Sequence, residues 1–151
     1  MMGGPWANGT DPERLILVLR RVEDRLFLFA RWADWPHPTM LSTLHPSELE
    51  GFVPGIDSLL HGRMRVHVEG APQLASERVA VRIPHPRGGG PMLGWLQPVA
   101  VDVIGEPSPD ALLEGVEGLT YDQALASLVT EVERTAFRLG AAAFTSGVRV
   151  A

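Results

Sequence analysis

The sequence has no cysteine, no lysine and only one tyrosine, and its longest uninterrupted apolar runs, Leu15–Leu19 and Leu26–Ala30, are short. Without cysteine there are no disulfides, no thiolate metal ligands and no cysteine nucleophile. All 13 basic residues are arginines, spread from Arg14 to Arg149 with no dense run. That pattern reads as GC-rich codon usage and not as a set of guanidinium forks gathered to grip phosphates. A formal charge of −5 also argues against a chain held to nucleic acid by phosphate neutralisation. The apolar runs are too short to cross a bilayer. Residues 1–10 carry neither a basic start nor a long apolar stretch, so a cytoplasmic protein with no membrane partner is expected.

What is present is ordinary for a folded domain. At 151 residues, with 45% hydrophobic and 21% charged residues, the chain is long and apolar enough to build one core without staples. Residues 1–10 read as a loose tail that Trp6 pins to the body, and residues 11–151 as a single α+β domain.

The stretch Asp11 to Trp35 admits two readings. Asp11-Pro12-Glu13 is a helix start signal, and most of the charged residues that follow fall in one helical arc. Two apolar blocks split by Arg20–Arg25, the second containing Phe27 and Phe29, read better as a hairpin buried on both faces. The linker between them lacks Gly or Asn, which weakens that hairpin. Further on, Pro46–Glu50 and Gly55–Leu60 suggest short helical turns. Alternation of Met64, Val66 and Val68 with Arg65, His67 and Glu69 predicts a strand over Arg63–Glu69. Glu77–Ile83 and Met92–Ile104 are the next strands, Gly94 and Pro98 implying that the latter bends or holds an edge position. His85–Pro91 joins them as a loop.

The clearest element is a helix over Tyr121–Leu139. Thr120 and Gln123 form a capping box, and Tyr121, Leu125, Leu128, Val132, Ala136 and Leu139 form a core-facing stripe. Gly140 reads as its left-handed terminator. A shorter helix is expected over Pro109–Glu114 and a closing strand over Ala142–Val150. That strand either lies inside the sheet or pairs with a second copy. The expected architecture is an antiparallel or mixed sheet of about five to six strands with one long C-terminal helix packed on a face.

Chemistry is thinly signalled. None of the five histidines stands in an HxH, HExxH or His-x₃-His pattern, so no metal and no other cofactor is expected. No serine lies in a G-x-S-x-G elbow. Arg87–Gly90 would offer backbone N–H groups to an anion, but it lacks the lysine and Ser/Thr of a phosphate-binding loop and reads as a hairpin tip. The segment WADWPHP places two indoles, a carboxylate and an imidazole in seven residues. The candidate ligand or partner surface is therefore Trp32, Asp34, Trp35 and His37, with His45 and His85 if the proline-flanked histidines converge. The tail of the chain, a helix running into LGAAAFTSGVRV, resembles a pattern in small bacterial proteins of a heavy-metal-binding family. The likeness covers residues 121–149, departs from that family at Thr145 and Ser146, and brings over neither function nor sites. With no catalytic constellation, the leading reading is a non-catalytic protein-interaction or assembly protein that pairs with a protein partner or with itself. The alternative is a small enzyme or ligand-binding protein with a pocket near residues 32–38.

Overall fold

The computed structural model describes residues 12, 14–43, 51–83 and 92–150. The two apolar blocks form the hairpin. Arg14–Arg21 (β1) and Phe27–Trp32 (β2) pair antiparallel, with Leu19 opposite Leu28. β1 is continuously apolar because both of its faces are covered: Leu15, Leu17 and Leu19 enter one core and Val18 the other. The connecting turn needs no glycine. Arg25 adopts φ 62°, and the Asp24 carboxylate accepts the Leu26 amide at 3.1 Å, so a local side-chain bond supports the left-handed residue.

β1 lies parallel to the long strand Met92–Ile104 (β7), in register from Arg14 beside Leu96 to Arg21 beside Val103. The other edge of β7 takes three short antiparallel strands in turn, His67–Val68 (β4), Gln73–Leu74 (β5) and Val79–Ile83 (β6). Leu41–Ser42 (β3) joins β1, Leu113–Leu119 (β8) joins β2, and Val148–Arg149 (β9) joins β5 at the edge. The mixed sheet thus has nine strands among the described residues, against five to six expected. β3, β4, β5 and β9 hold two residues each, too few to leave a period-two signal.

Helices cover both faces. Phe52–Met64 (α1) sets Ile56, Leu60 and Met64 against Leu15, Leu17, Leu19, Val99, Val101 and Val103. On the opposite face, Tyr121–Ser127 (α2) and Glu131–Ser146 (α3) set Ala124 and Phe137 against Val18 and Phe29, and Ala143 against Ala100. Each fully buried Leu or Phe in these layers contributes roughly 1.5–3 kcal/mol, which explains why the sheet is apolar on both sides. The class is α+β, with a C-terminal helix packed on one face.

Several expected elements differ. The single helix over Tyr121–Leu139 is two: Thr120 and Gln123 cap α2, the chain extends at Leu128, and a second capping box of Thr130 and Glu133 starts α3. Arg134 then covers the carbonyls of Leu128 and Val129 at 2.8 and 3.2 Å. Gly140 does not end a helix. It lies inside α3, which runs on to Ser146, so the expected strand over Ala142–Val150 shrinks to Val148–Arg149. The same segment departs from the heavy-metal-binding pattern, since its residues up to 146 are helical. Met64 ends α1 and does not begin a strand; Arg65 at φ 61° turns the chain, and only His67–Val68 are extended. In place of a helix over Pro109–Glu114, Asp110 turns the chain into β8 by accepting the amides of Leu112 and Leu113. Residues 1–11, Pro46–Glu50 and the loop 85–91 lie outside the described residues. No described helix is long and apolar enough to cross a membrane.

Candidate functional site

A cleft of about 490 Å³ opens where the end of β2, the segment 39–42 and the last turns of α1 meet. Its wall from the hairpin is Trp32, and its wall from the helix is Leu59 and Arg63. Thr39, Met40, Leu41 and Ser42 close the third side. The segment is held there by Thr39, whose backbone exchanges two hydrogen bonds with Ala30 at 2.8 and 3.0 Å. The Trp32 indole Nε1–H donates to Thr39 Oγ1 at 2.8 Å, which fixes the ring plane and satisfies its only donor. The Arg63 guanidinium lies 5.8 Å from the Trp32 ring, within cation–π range. One wall therefore offers an aromatic face with a planar cation beside it, and the others offer hydroxyls and aliphatic carbons.

Arg63 is not a free cation. Its Nη1 donates to Asp110 Oδ2 at 2.6 Å, while the Asp110 amide donates to the Arg63 carbonyl at 3.0 Å. Asp110 Oδ1 accepts from Leu112 at 2.9 Å and Leu113 at 3.0 Å. Desolvation alone would raise this carboxyl's pKa; the Arg63 hydrogen bond, the two amides and the Arg63 charge outweigh it and hold it below the usual carboxylate range.

A second polar group sits farther along α1. Asp57 accepts the Val68 amide at 2.8 Å and faces His67 Nδ1 at 3.2 Å. His61 stacks on His67 with ring centroids 4.5 Å apart. Burial pushes the Asp57 carboxyl up, but the Val68 amide, the His67 contact and the potential of both imidazoles bring it below its ordinary value. This arrangement ties α1 to β4.

Of the residues singled out in the sequence, Trp32 lines the cleft. Asp34, Trp35 and His37 are exposed on the turn that links Trp32 to Thr39, where the Trp35 and His37 rings meet edge-on at 5.8 Å. His45 and His85 lie outside the described residues. Thr39, Ser42, Leu59 and Arg63 gave no signal. Leu59 and Arg63 lie one helical turn apart, but nothing in the sequence aims that face of α1 at Trp32.

A divalent cation is held where several carboxylate or imidazole groups converge on one point. The described residues do not fit such an ion: no group of three His, Asp or Glu converges among them. Asp57 and Asp110 are already committed to backbone amides and to His67 and Arg63.

No protein family and no curated protein matches the sequence. Solved structures do. A protein described as a NUDIX hydrolase from Listeria monocytogenes aligns with 93% of this chain and 99% of its own, at 12% identity and a TM-score of 0.62. The NUDIX domain of Shewanella oneidensis NrtR, solved with ADP ribose, aligns over 95% and 94% at 13% identity and a TM-score of 0.57. The dihydroneopterin triphosphate pyrophosphohydrolase of E. coli aligns over 83% and 91% at 11% identity and a TM-score of 0.61. This likeness overturns the reading of a non-catalytic assembly protein, because such neighbours are hydrolases and a small-molecule-binding domain; a small enzyme or ligand-binding protein fits them better. At these identities it is the fold that is shared, and the chain has the NUDIX fold.

Proposed function

We propose that this chain is a small enzyme or ligand-binding protein whose ligand is a planar nitrogen heterocycle carrying phosphates, with the ring held in the Trp32 cleft. The observation that carries the reading is the pairing of an oriented indole with a guanidinium inside a cavity of about 490 Å³. That volume lies in the range of small-ligand sites, roughly 300–1,000 Å³. An indole locked by Thr39 gives a stacking face at little entropic cost, and the Arg63 guanidinium, 5.8 Å from the indole ring, supplies N–H donors next to it. The neighbours' names add chemistry: ADP ribose and dihydroneopterin triphosphate both join a planar heterocycle to phosphates. In this reading the exposed turn bearing Asp34, Trp35 and His37 is the rim over which the rest of the ligand lies.

The test is calorimetric titration of the protein with ADP ribose, run beside Trp32→Ala. Saturable binding that weakens at least about tenfold in the variant supports the cleft, stacking being worth about 1–3 kcal/mol per base. Unchanged binding in the variant removes it. A parallel assay of ADP ribose hydrolysis to AMP and ribose 5-phosphate, separated by chromatography and run with and without magnesium, decides between enzyme and binding protein.

A further inference from the structure

The Arg63–Asp110 pair has a consequence for what the cleft accepts. A lone guanidinium beside an indole would attract an anion. Here the charge is already matched by a carboxylate 2.6 Å away. Asp110 cannot readily swing off. Its Oδ1 is held by the amides of Leu112 and Leu113, its own amide bonds to the Arg63 carbonyl, and the neighbouring Ser108 amide bonds to the Met64 carbonyl at 2.8 Å. The loop is thus stitched to the last turn of α1 through backbone as well as side chain. The carboxylate is also the more sheltered partner, 17% exposed against 32% for Arg63, so solvent screens it less.

We infer that Asp110 is a specificity-determining residue: by cancelling the charge of Arg63 it makes the cleft select the uncharged ring of the ligand and turn its phosphates away. The guanidinium keeps N–H groups beyond the one given to Asp110, and these suit a neutral ring nitrogen or carbonyl acceptor. A phosphate in the same place would have to share Arg63 with Asp110 and would lie beside a like charge, an arrangement that disfavours wrong partners strongly. Asp110 acts here through Arg63, as a positioning and charge-setting group. The inference rests on the cleft being the ligand site.

The experiment titrates adenosine and AMP, as ring alone and ring with phosphate, into the protein and into Asp110→Asn. The asparagine carbonyl still accepts the Leu112 and Leu113 amides, so the turn is kept while the charge is removed. The native protein should bind adenosine at least as well as AMP. The variant should shift the adenosine-to-AMP affinity ratio toward AMP by about tenfold or more, and added salt should reverse that shift. Asp110→Ser, whose hydroxyl also accepts those amides, serves as the second variant should the first lose its fold. A ratio equal in native protein and both variants, or a loss that moves both ligands together, overturns the role given to Asp110 and leaves the cleft assignment standing. Failure of native protein to bind either ligand overturns the cleft assignment and this inference with it.

Discussion

Gly140 of α3 packs so closely on Val18 of β1 that a Cβ at position 140 would overlap the valine's Cγ2 and reach its Cβ at 3.0 Å. Val18 is β-branched and 1% exposed, so it has no room to turn away. Gly140→Ala should therefore destabilise the protein by about 1–3 kcal/mol, overpacking outweighing the roughly 1 kcal/mol that alanine gains in a helix. Gly62, in α1, has nothing within 4 Å of its Cβ position, and Gly62→Ala should leave stability unchanged or raise it by up to about 1 kcal/mol. Urea titration of the two variants checks both; equal effects would deny the close approach of α3 to β1.

The helix pair on the same face depends on two caps. Thr120 accepts the Gln123 amide at 3.2 Å, and Thr130 accepts the Glu133 amide at 3.1 Å. Thr120→Ala and Thr130→Ala should each cost about 0.5–2 kcal/mol in denaturant titration. A single helix through 121–139 would instead gain from alanine at 130, so the sign at that position separates the two descriptions.

Asp57 makes the acid limb of stability depend on α1. Its folded pKa lies below the unfolded value, so its contribution is fully present above the unfolded value, near 3.8, and is lost as pH falls through the folded one. Asp57→Asn removes that loss. Thermal melting between pH 5 and pH 2 should show a shallower decline for the variant than for the native protein; parallel declines would mean that the contacts to Val68 and His67 add nothing charge-dependent.

Much of the fold was legible where residues act locally. The apolar blocks of β1 and β2, the bounds of β7 and the Thr120 capping box follow from alternation and cap chemistry. The Thr130–Glu133 box is also written in the sequence, but the apolar stripe from Leu128 to Val132 runs across the break and hides it. Arg65 could not be read as a helix terminator, because a non-glycine left-handed residue is set by packing of the buried Met64 and Val66 on either side. The same limit applies to the cleft. Trp32 stood out as an indole in a loop-like segment, but Leu59 and Arg63 reach the cleft only through the docking of α1 on the sheet, and Asp110 reaches Arg63 only through the return of the chain before β8.

The most direct test of the cleft is to follow the indole N–H and backbone amide resonances of the labelled protein while ADP ribose is added. Binding as proposed should shift the Trp32 indole N–H and the amides of Thr39, Ser42, Leu59 and Arg63, all on the cleft wall, and leave the Trp95 indole, remote in sequence on β7, unmoved. Shifts confined to residues outside that wall, or none at saturating ligand, would contradict the account.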